Sequence, residues 1–343
     1  MRKMVFARAA PVCWLNKTTR QDAHETGILF LLREEGEQII MSGVMNMNDF
    51  DLHLHSCYSK DGEHTPSRLI EIARQSGLSL VALSDHDCMR GIDEMRKAGE
   101  HAGIQVIPAI EFTTLFDQER ECHLLGYGFD YRQPYFTALP ERIQKLMDDA
   151  FHQRVCKLEA HYHIRIDERQ ILQDAGDENP WFLMCERMFA DPANAHIREF
   201  DAYRKGGARS DPAPVNFFWD KCQAGSPLYV HVDYPSFAST VEQIHAAGGI
   251  AVLAHPFQTF YEREDLLQKA IDAGIDGIEA FSNYHEERHN RYYAEFAADH
   301  GLLITCGSDF HGKHKPSIRM GEYGDDIPDA QEIRERFLAA LKR

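Results

Sequence analysis

The chain has no Cys-x-x-Cys pair, no block of Lys and Arg, no internal repeat of fixed period and no uninterrupted apolar run approaching ~18 residues. The first absence removes zinc ribbons and thioredoxin-like redox motifs. The eight cysteines lie far apart and read as reduced, mostly buried thiols, as expected of a cytoplasmic protein. The lack of a long apolar run removes a membrane-spanning helix, and Arg8 interrupts the start MRKMVFARAAPVCWLNK before a secretory core develops. The lack of a basic block, with 37 Lys and Arg against 54 Asp and Glu and a net charge of -17, argues against long nucleic acid as a partner, because neutralising phosphates needs a basic face. What is present is 343 residues with 43% hydrophobic content, enough for one α/β domain of roughly 250 residues with additions, or for two ordinary domains.

From Phe50 onward, short apolar runs alternate with amphipathic stretches. DLHLH is followed by a helix over 65–75, LSLVALSD, a helix over 91–102 and IQVIPAIEFT; the rhythm returns with a helix over 241–247, GIAVLAH, a helix over 264–273, GIDGIEAFS, a helix over 286–300 and GLLITCGSDFH. This predicts a parallel α/β barrel or doubly wound sheet over residues 49–133 and 231–343. Between them, residues 134–230 break the rhythm and read as a helical insertion on a barrel loop, covering the site. Residues 1–48 precede the first strand as an N-terminal extension, either a loose hairpin or an unfolded tail, with Met41, Met45 and Met47 as alternative starts.

The ends of the predicted strands carry metal-ligand types: His53, His55, Asp61, His86, Glu111, His123, His255, Asp309 and His311. In a strand, residues i and i+2 face the same side, so His53/His55 and Asp309/His311 each present two donors toward one centre. Mixed imidazole and carboxylate donors suit manganese, iron or zinc. Taken singly, His86 or His255 is equally a core histidine bonded to a carbonyl, and Asp61 before Gly62 a turn residue. Glu111 is harder to dismiss, because a carboxylate inside IPAIEF is costly to bury unless paired or metal-bound.

With these residues in place, the chain resembles the polymerase-and-histidinol-phosphatase (PHP) family of metal-dependent phosphoesterases, through DLHLHS with Asp61-Gly62, SDHD at 84–87, AHP at 254–256 and GSDFH at 307–311. The resemblance implies a distorted (β/α)7 TIM-like barrel holding two or three divalent ions. It implies His53, His55, Glu111 and Asp309 around a first ion, Glu111, His123 and His255 around a second, and Asp61, His86 and His311 around a third. Glu111, His255 and Asp309 would act catalytically through a metal-bridging hydroxide that attacks phosphorus. Three such ions against three carboxylates leave a local charge of about +3, so an acidic protein still binds a small phosphate. The implied substrates are a small phosphorylated ribose or nucleotide. Foremost is 5-phosphoribosyl 1,2-cyclic phosphate, an intermediate of phosphonate breakdown, with nucleoside 3',5'-bisphosphates or 5' RNA ends as the alternative and a non-catalytic PHP module as the reading from another class.

Two further signals compete. His285-Glu286-Glu287-Arg288-His289 matches the H-E-x-x-H pattern of zinc proteases, but its charged interior residues read as a solvated helix start. His161 and His163 read as a surface pair. Lys313, Lys315 and Arg319 follow the last ligand motif, so one of them can reach a substrate phosphate, with Lys313 and Arg319 as the candidates carried forward. Arg187 is a further candidate from the insertion, although it lacks the Arg-x-His pattern of the bisphosphate phosphatases. Oligomeric state is not legible.

Overall fold

The computed structural model describes residues 48–342 except 60, 118, 119, 177, 325, 326 and 328. The predicted N-terminal extension therefore lies outside the described residues, but for its last one. The elements in order are β1 (Phe50–Leu54), α1 (Pro66–Gln75), β2 (Leu80–Leu83), α2 (Ile92–Ala102), β3 (Gln105–Phe116) and β4 (Arg120–Tyr127). Four helices of the middle segment follow: α3 (Pro134–Tyr162), α4 (Glu168–Ala175), α5 (Pro180–Ala190) and α6 (Ala213–Lys221). The chain then returns through α7 (Phe237–Ala246), β5 (Ile250–Leu253), α8 (Pro256–Thr259), α9 (Glu264–Asp272), β6 (Gly277–Ser282), α10 (Glu287–Asp299), β7 (Leu303–Gly307) and α11 (Ala330–Ala340).

The seven strands run in sequence order around a nearly closed barrel. Its two ends meet where His55 N donates to Phe310 O at 3.1 Å and Asp309 N to His53 O at 2.9 Å. Strands β2, β5 and β6 are buried at every position, as expected when helices cover one face and a packed interior the other. α1 shows the local logic of the outer layer. Thr65 caps it by accepting from Arg68 N, Pro66 fits the first turn, and Pro66, Leu69, Ile70 and Ala73 form the buried stripe.

The all-parallel expectation fails at one strand. β4 pairs antiparallel with both β3 and β5. Its link to β3 is only three residues long, which allows a hairpin but no helical crossover. The consequence for the site is direct: because β4 runs backwards, its beginning, not its end, lies at the rim where the parallel strands finish.

The middle segment is helical, as read from the sequence, and builds a second core of its own from Phe151, Val155, Leu158, Met184, Phe200, Phe217 and Leu228. α3 belongs to both cores, since Phe136, Leu139 and Ile143 in its first half, and Ala150 just past the middle, pack with the barrel. No described helix is long and apolar enough to cross a membrane.

Candidate metal centre

The nine ligand-type residues converge at the carboxyl rim. β1 carries Asp51, His53 and His55 on one side, with Leu52 and Leu54 facing the helices. β3 runs past its pairing with β2, which ends at Pro108, and this overhang brings Glu111 beside His86. β4 delivers His123 near its start. His255 (φ 23°) and Asp309 (φ 55°) both follow a strand in left-handed backbone, and Asp87 (φ 48°) does so next to His86. Strained non-glycine backbone concentrated at a rim of donors marks a functional constraint. Gly307 allows the close fit beneath: a Cβ there would lie 2.2 Å from His53 Cβ and 2.6 Å from Glu279 Oε1. Gly62 does the same for Asp61, since a Cβ at that position would meet Ser56 O at 2.1 Å.

Glu111, fully buried, is the hub. Its Oε2 lies 3.2 Å from His53 Nε2, 3.1 Å from His55 Nε2 and 3.1 Å from His86 Nδ1. Its Oε1 lies 2.8 Å from His123 Nδ1 and 2.9 Å from His255 Nε2. Asp309 Oδ1 is 3.0 Å from His55 Nε2, and Asp61 Oδ2 is 3.2 Å from His311 Nε2. Burial pushes the Glu111 carboxyl up, but the charges of His53, His123 and His86 bring it well below the ordinary carboxylate range. Burial, followed by the neighbouring His311 and His86, pushes His55 down to about 4.

Three sets of donor atoms lie within ion-binding reach of one another: His53, His55, Glu111 and Asp309; His55, Asp61, His86 and His311; and His86, Glu111 and His123. The first matches the set implied by resemblance, the other two share His55 and His86 more widely, and His255 adjoins them through Glu111 Oε1. Chemistry supports occupation by cations. His53 Nε2, His55 Nε2, Asp61 Oδ1, His86 Nδ1, Glu111 Oε2, His255 Nδ1, Asp309 Oδ1 and His311 Nε2 are all buried without a hydrogen bond. So many unsatisfied polar atoms are unfavourable in a folded interior unless ions satisfy them.

The supporting groups set the tautomers. His53 Nδ1 donates to Glu279 Oε1 at 2.9 Å and His311 Nδ1 donates to Asp309 O at 2.8 Å. Ser59 Oγ donates to Asp85 at 2.8 Å, which leaves it to accept from His55 Nδ1 at 2.9 Å. Each ring therefore keeps an Nε2 lone pair for the centre. Glu279 also accepts from His255 N at 2.8 Å. Sequence reading missed Glu279, although GIDGIEAFS carries the same signal as IPAIEF, a carboxylate within an apolar run.

Of the three cations after the last motif, Lys315 reaches the cluster, not Lys313 or Arg319. Its Nζ donates to Asp309 Oδ2 and to Tyr284 OH, both at 2.6 Å, and Tyr284 OH donates to the same carboxylate oxygen. Lys313 is exposed, with only its backbone N held by Glu63, and Arg319 is 79% exposed beside Glu322. The reason is local: the 3-10 turn at Gly312–His314 turns the Lys313 side chain outward and Lys315 inward. Arg187 is exposed and its guanidinium is taken by Asp174 at 2.6 Å.

The H-E-x-x-H segment is a helix start whose charged residues Glu286, Glu287 and Arg288 are exposed, as expected, but its second histidine is not. His289 is buried and stacks on Phe257 with ring centroids 3.8 Å apart, and its Nδ1 accepts from Glu286 N in a capping box. His285 donates from Nδ1 to Ala280 O. Both rings are used by the fold. His161 and His163 are exposed, as read.

Comparison with known proteins agrees with this geometry. The PHP domain model matches residues 51–174. The phosphoribosyl 1,2-cyclic phosphate 1,2-diphosphodiesterase of Eggerthella lenta is 29% identical over 77% of this chain and 94% of its own length. A 5'-3' exoribonuclease of Haemophilus influenzae is 28% identical over 84% and 98%, and a 3',5'-nucleoside bisphosphate phosphatase of Chromobacterium violaceum 29% over 87% and 99%. A solved structure assigned as a metal-dependent phosphoesterase, from Bifidobacterium adolescentis, superposes with a TM-score of 0.64 at 26% identity, covering 86% of this chain and 96% of that one. Residues 51–174 thus match a PHP domain, and over most of its length the chain is similar to metal-dependent phosphoesterases, hydrolases that act on phosphoric ester bonds.

Proposed function

We propose that the protein hydrolyses a small phosphorylated ribose, with 5-phosphoribosyl 1,2-cyclic phosphate as substrate and the two ester bonds at one phosphorus broken in turn. The observation that carries the hydrolase reading is the Glu111 hub, where five imidazoles meet one carboxylate and eight buried donor atoms await cations. The nine residues His53, His55, Asp61, His86, Glu111, His123, His255, Asp309 and His311 would hold two or three ions of manganese, iron or zinc. Such ions supply a positive field that withdraws charge from a phosphoryl group and makes water acidic enough to be a nucleophile near neutral pH. Each hydrolysis adds one water, breaks one P–O bond and leaves the proton on the departing sugar oxygen. Lys315 and Tyr284 hold Asp309 in place through its Oδ2. The insertion covers this rim, and Phe182 of α5 meets His314, with ring centroids 5.3 Å apart.

Similarity to the Eggerthella enzyme and the engagement of Arg187 by Asp174 support the cyclic ester over a bisphosphate. The equally similar bisphosphate phosphatase and the exoribonuclease support the alternative, nucleoside 3',5'-bisphosphates or 5' RNA ends. All nine ligand positions are filled by ligating types, which argues against a non-catalytic module. A cytoplasmic role after the carbon–phosphorus chemistry of phosphonate breakdown follows from this substrate. The test is phosphate release by the full chain, supplied in turn with manganese, iron and zinc, from the cyclic ribose ester, a nucleoside 3',5'-bisphosphate and a short 5'-phosphorylated RNA. The cyclic ester is expected to give the highest kcat/KM, and a tenfold preference for either competitor would overturn the choice.

A further inference from the structure

β1 and β7 are the neighbouring strands of the barrel that form no ladder with each other. Among the described residues, backbone hydrogen bonds cross this seam only past the end of β7, as from His55 N to Phe310 O and from Asp309 N to His53 O. Deeper in the seam a side chain takes over. Asp51 is fully buried; its Oδ1 accepts from Ser308 N at 2.9 Å and its Oδ2 from Gly321 N at 2.8 Å, while Oδ1 also accepts from His53 N at 3.2 Å. A buried carboxylate is costly unless its oxygens find donors, and these three donors are all backbone N–H groups.

Ser308 and Gly321 bracket one loop. Ser308 immediately precedes Asp309, and Gly321 ends the stretch that carries Asp309, His311 and Lys315. Asp51 stands two residues before His53 and four before His55, on the same side of β1. One carboxylate therefore holds the start and the finish of the loop that brings Asp309 and His311 to the rim. Gly321 takes up left-handed backbone there (φ 82°), and Tyr323, fully buried two residues on, donates from its OH to Phe50 O, which fastens the same stretch to β1 again. We propose that Asp51 is a positioning residue for the metal centre: it pins both ends of this loop to the strand that carries His53 and His55, and so sets the spacing between the two halves of the His53, His55, Glu111 and Asp309 set. Asp51 supplies no donor to any of the three sets and acts through the groups that it holds. This rests on the metal-centre reading of the rim and not on the choice of substrate.

The test uses the full chain with Asp51→Asn, in which an NH2 replaces one acceptor oxygen and meets a backbone N–H donor to donor. In the metal-free proteins, amide hydrogen exchange followed by mass spectrometry should be about tenfold faster over residues 308–321 in the variant than in wild type. Cobalt(II), titrated against a chelating dye, should bind about 10–100-fold more weakly, and the visible spectrum of the bound cobalt should change as Asp309 shifts against the imidazoles. Gly321→Ala, which leaves Asp51 intact and strains only the far anchor, should weaken cobalt binding less but in the same direction. A purely structural role predicts earlier thermal unfolding with cobalt affinity and spectrum unchanged in the folded protein. That result, or unchanged exchange over residues 308–321, would overturn the proposal. If Asp51→Asn does not fold, unchanged cobalt affinity in Gly321→Ala overturns it equally. If wild type binds no cobalt, manganese, iron or zinc, the metal-centre reading fails, and Asp51 has no centre to position whatever the exchange shows.

Discussion

Two regions of this molecule carry histidine and carboxylate motifs that a sequence scan scores as metal sites, and the fold uses them in opposite ways. At the barrel rim, imidazoles from β1, β4 and the loops after β2, β5 and β7 point at one another, with their outer nitrogens fixed and their inner ones unsatisfied. At the start of α10, His285 and His289 match a zinc-protease signature, yet their Nδ1 atoms serve Ala280 O and Glu286 N and His289 stacks on Phe257. Motif spacing is therefore the weaker guide. His285 Nε2 and His289 Nε2 are also buried without a hydrogen bond, His289 Nε2 3.7 Å from Glu262. What separates a metal centre from a helix cap is convergence: three or four donor atoms lie within ion-binding reach of one another at the rim, and no such group stands at α10 among the described residues.

The sharpest way to break that distinction is to remove one residue from each region. Glu111→Ala removes the one carboxylate that five imidazoles share and should lower both bound metal, by elemental analysis, and phosphoesterase activity on the order of a thousandfold, more than the 10–100-fold typical of outer-shell partners. His289→Ala should leave activity within about twofold while reducing unfolding free energy by about 2 kcal/mol through the lost stacking and cap. The reverse pattern would move the active centre to α10 and revive the protease reading.

Glu279→Gln tests the distinction from beneath. Glu279 touches no proposed ion, but orients the His53 ring and fixes His255 N. The amide is isosteric and can present its NH2 to His53, which reverses the tautomer and takes the Nε2 lone pair away from the centre. Metal affinity should fall about 10–100-fold, read by competition with a chelating dye, with little change in melting of the metal-free protein. Unchanged affinity would mean that His53 does not need its outer carboxylate.

These residues also show what a sequence reveals. His53, His55 and Asp309 were legible because strand alternation and residue type are local properties, and Glu111 because a carboxylate in an apolar run is an energetic anomaly. Glu279 carried the same anomaly and was passed over. The reversal of β4 needed only the short link to be counted. Lys315 was not separable from Lys313 and Arg319, since a 3-10 turn decides which side chain faces inward. Nor was the burial of His289, which depends on Phe257, more than thirty residues earlier in the chain. Pairing between distant elements is what composition and periodicity do not contain.

The smallest effect is a difference in acid sensitivity at α10. Burial lowers the His285 pKa to about 4, below the 6.5 of an exposed imidazole. The unfolded chain therefore takes up a proton that the folded protein refuses. Stability conferred by the neutral ring is complete above about pH 6.5 and is lost as pH falls toward 4. Between pH 7.5 and pH 5, this one group should lower unfolding free energy by about 2 kcal/mol. Ion loss from the rim on acidification adds to the fall in any variant that retains the cluster, so it cancels between wild type and His285→Gln. Urea unfolding of the two proteins at both pH values should show the wild type losing about 2 kcal/mol more than the variant. Parallel losses would mean that His285 titrates normally and is not enclosed as the fold places it.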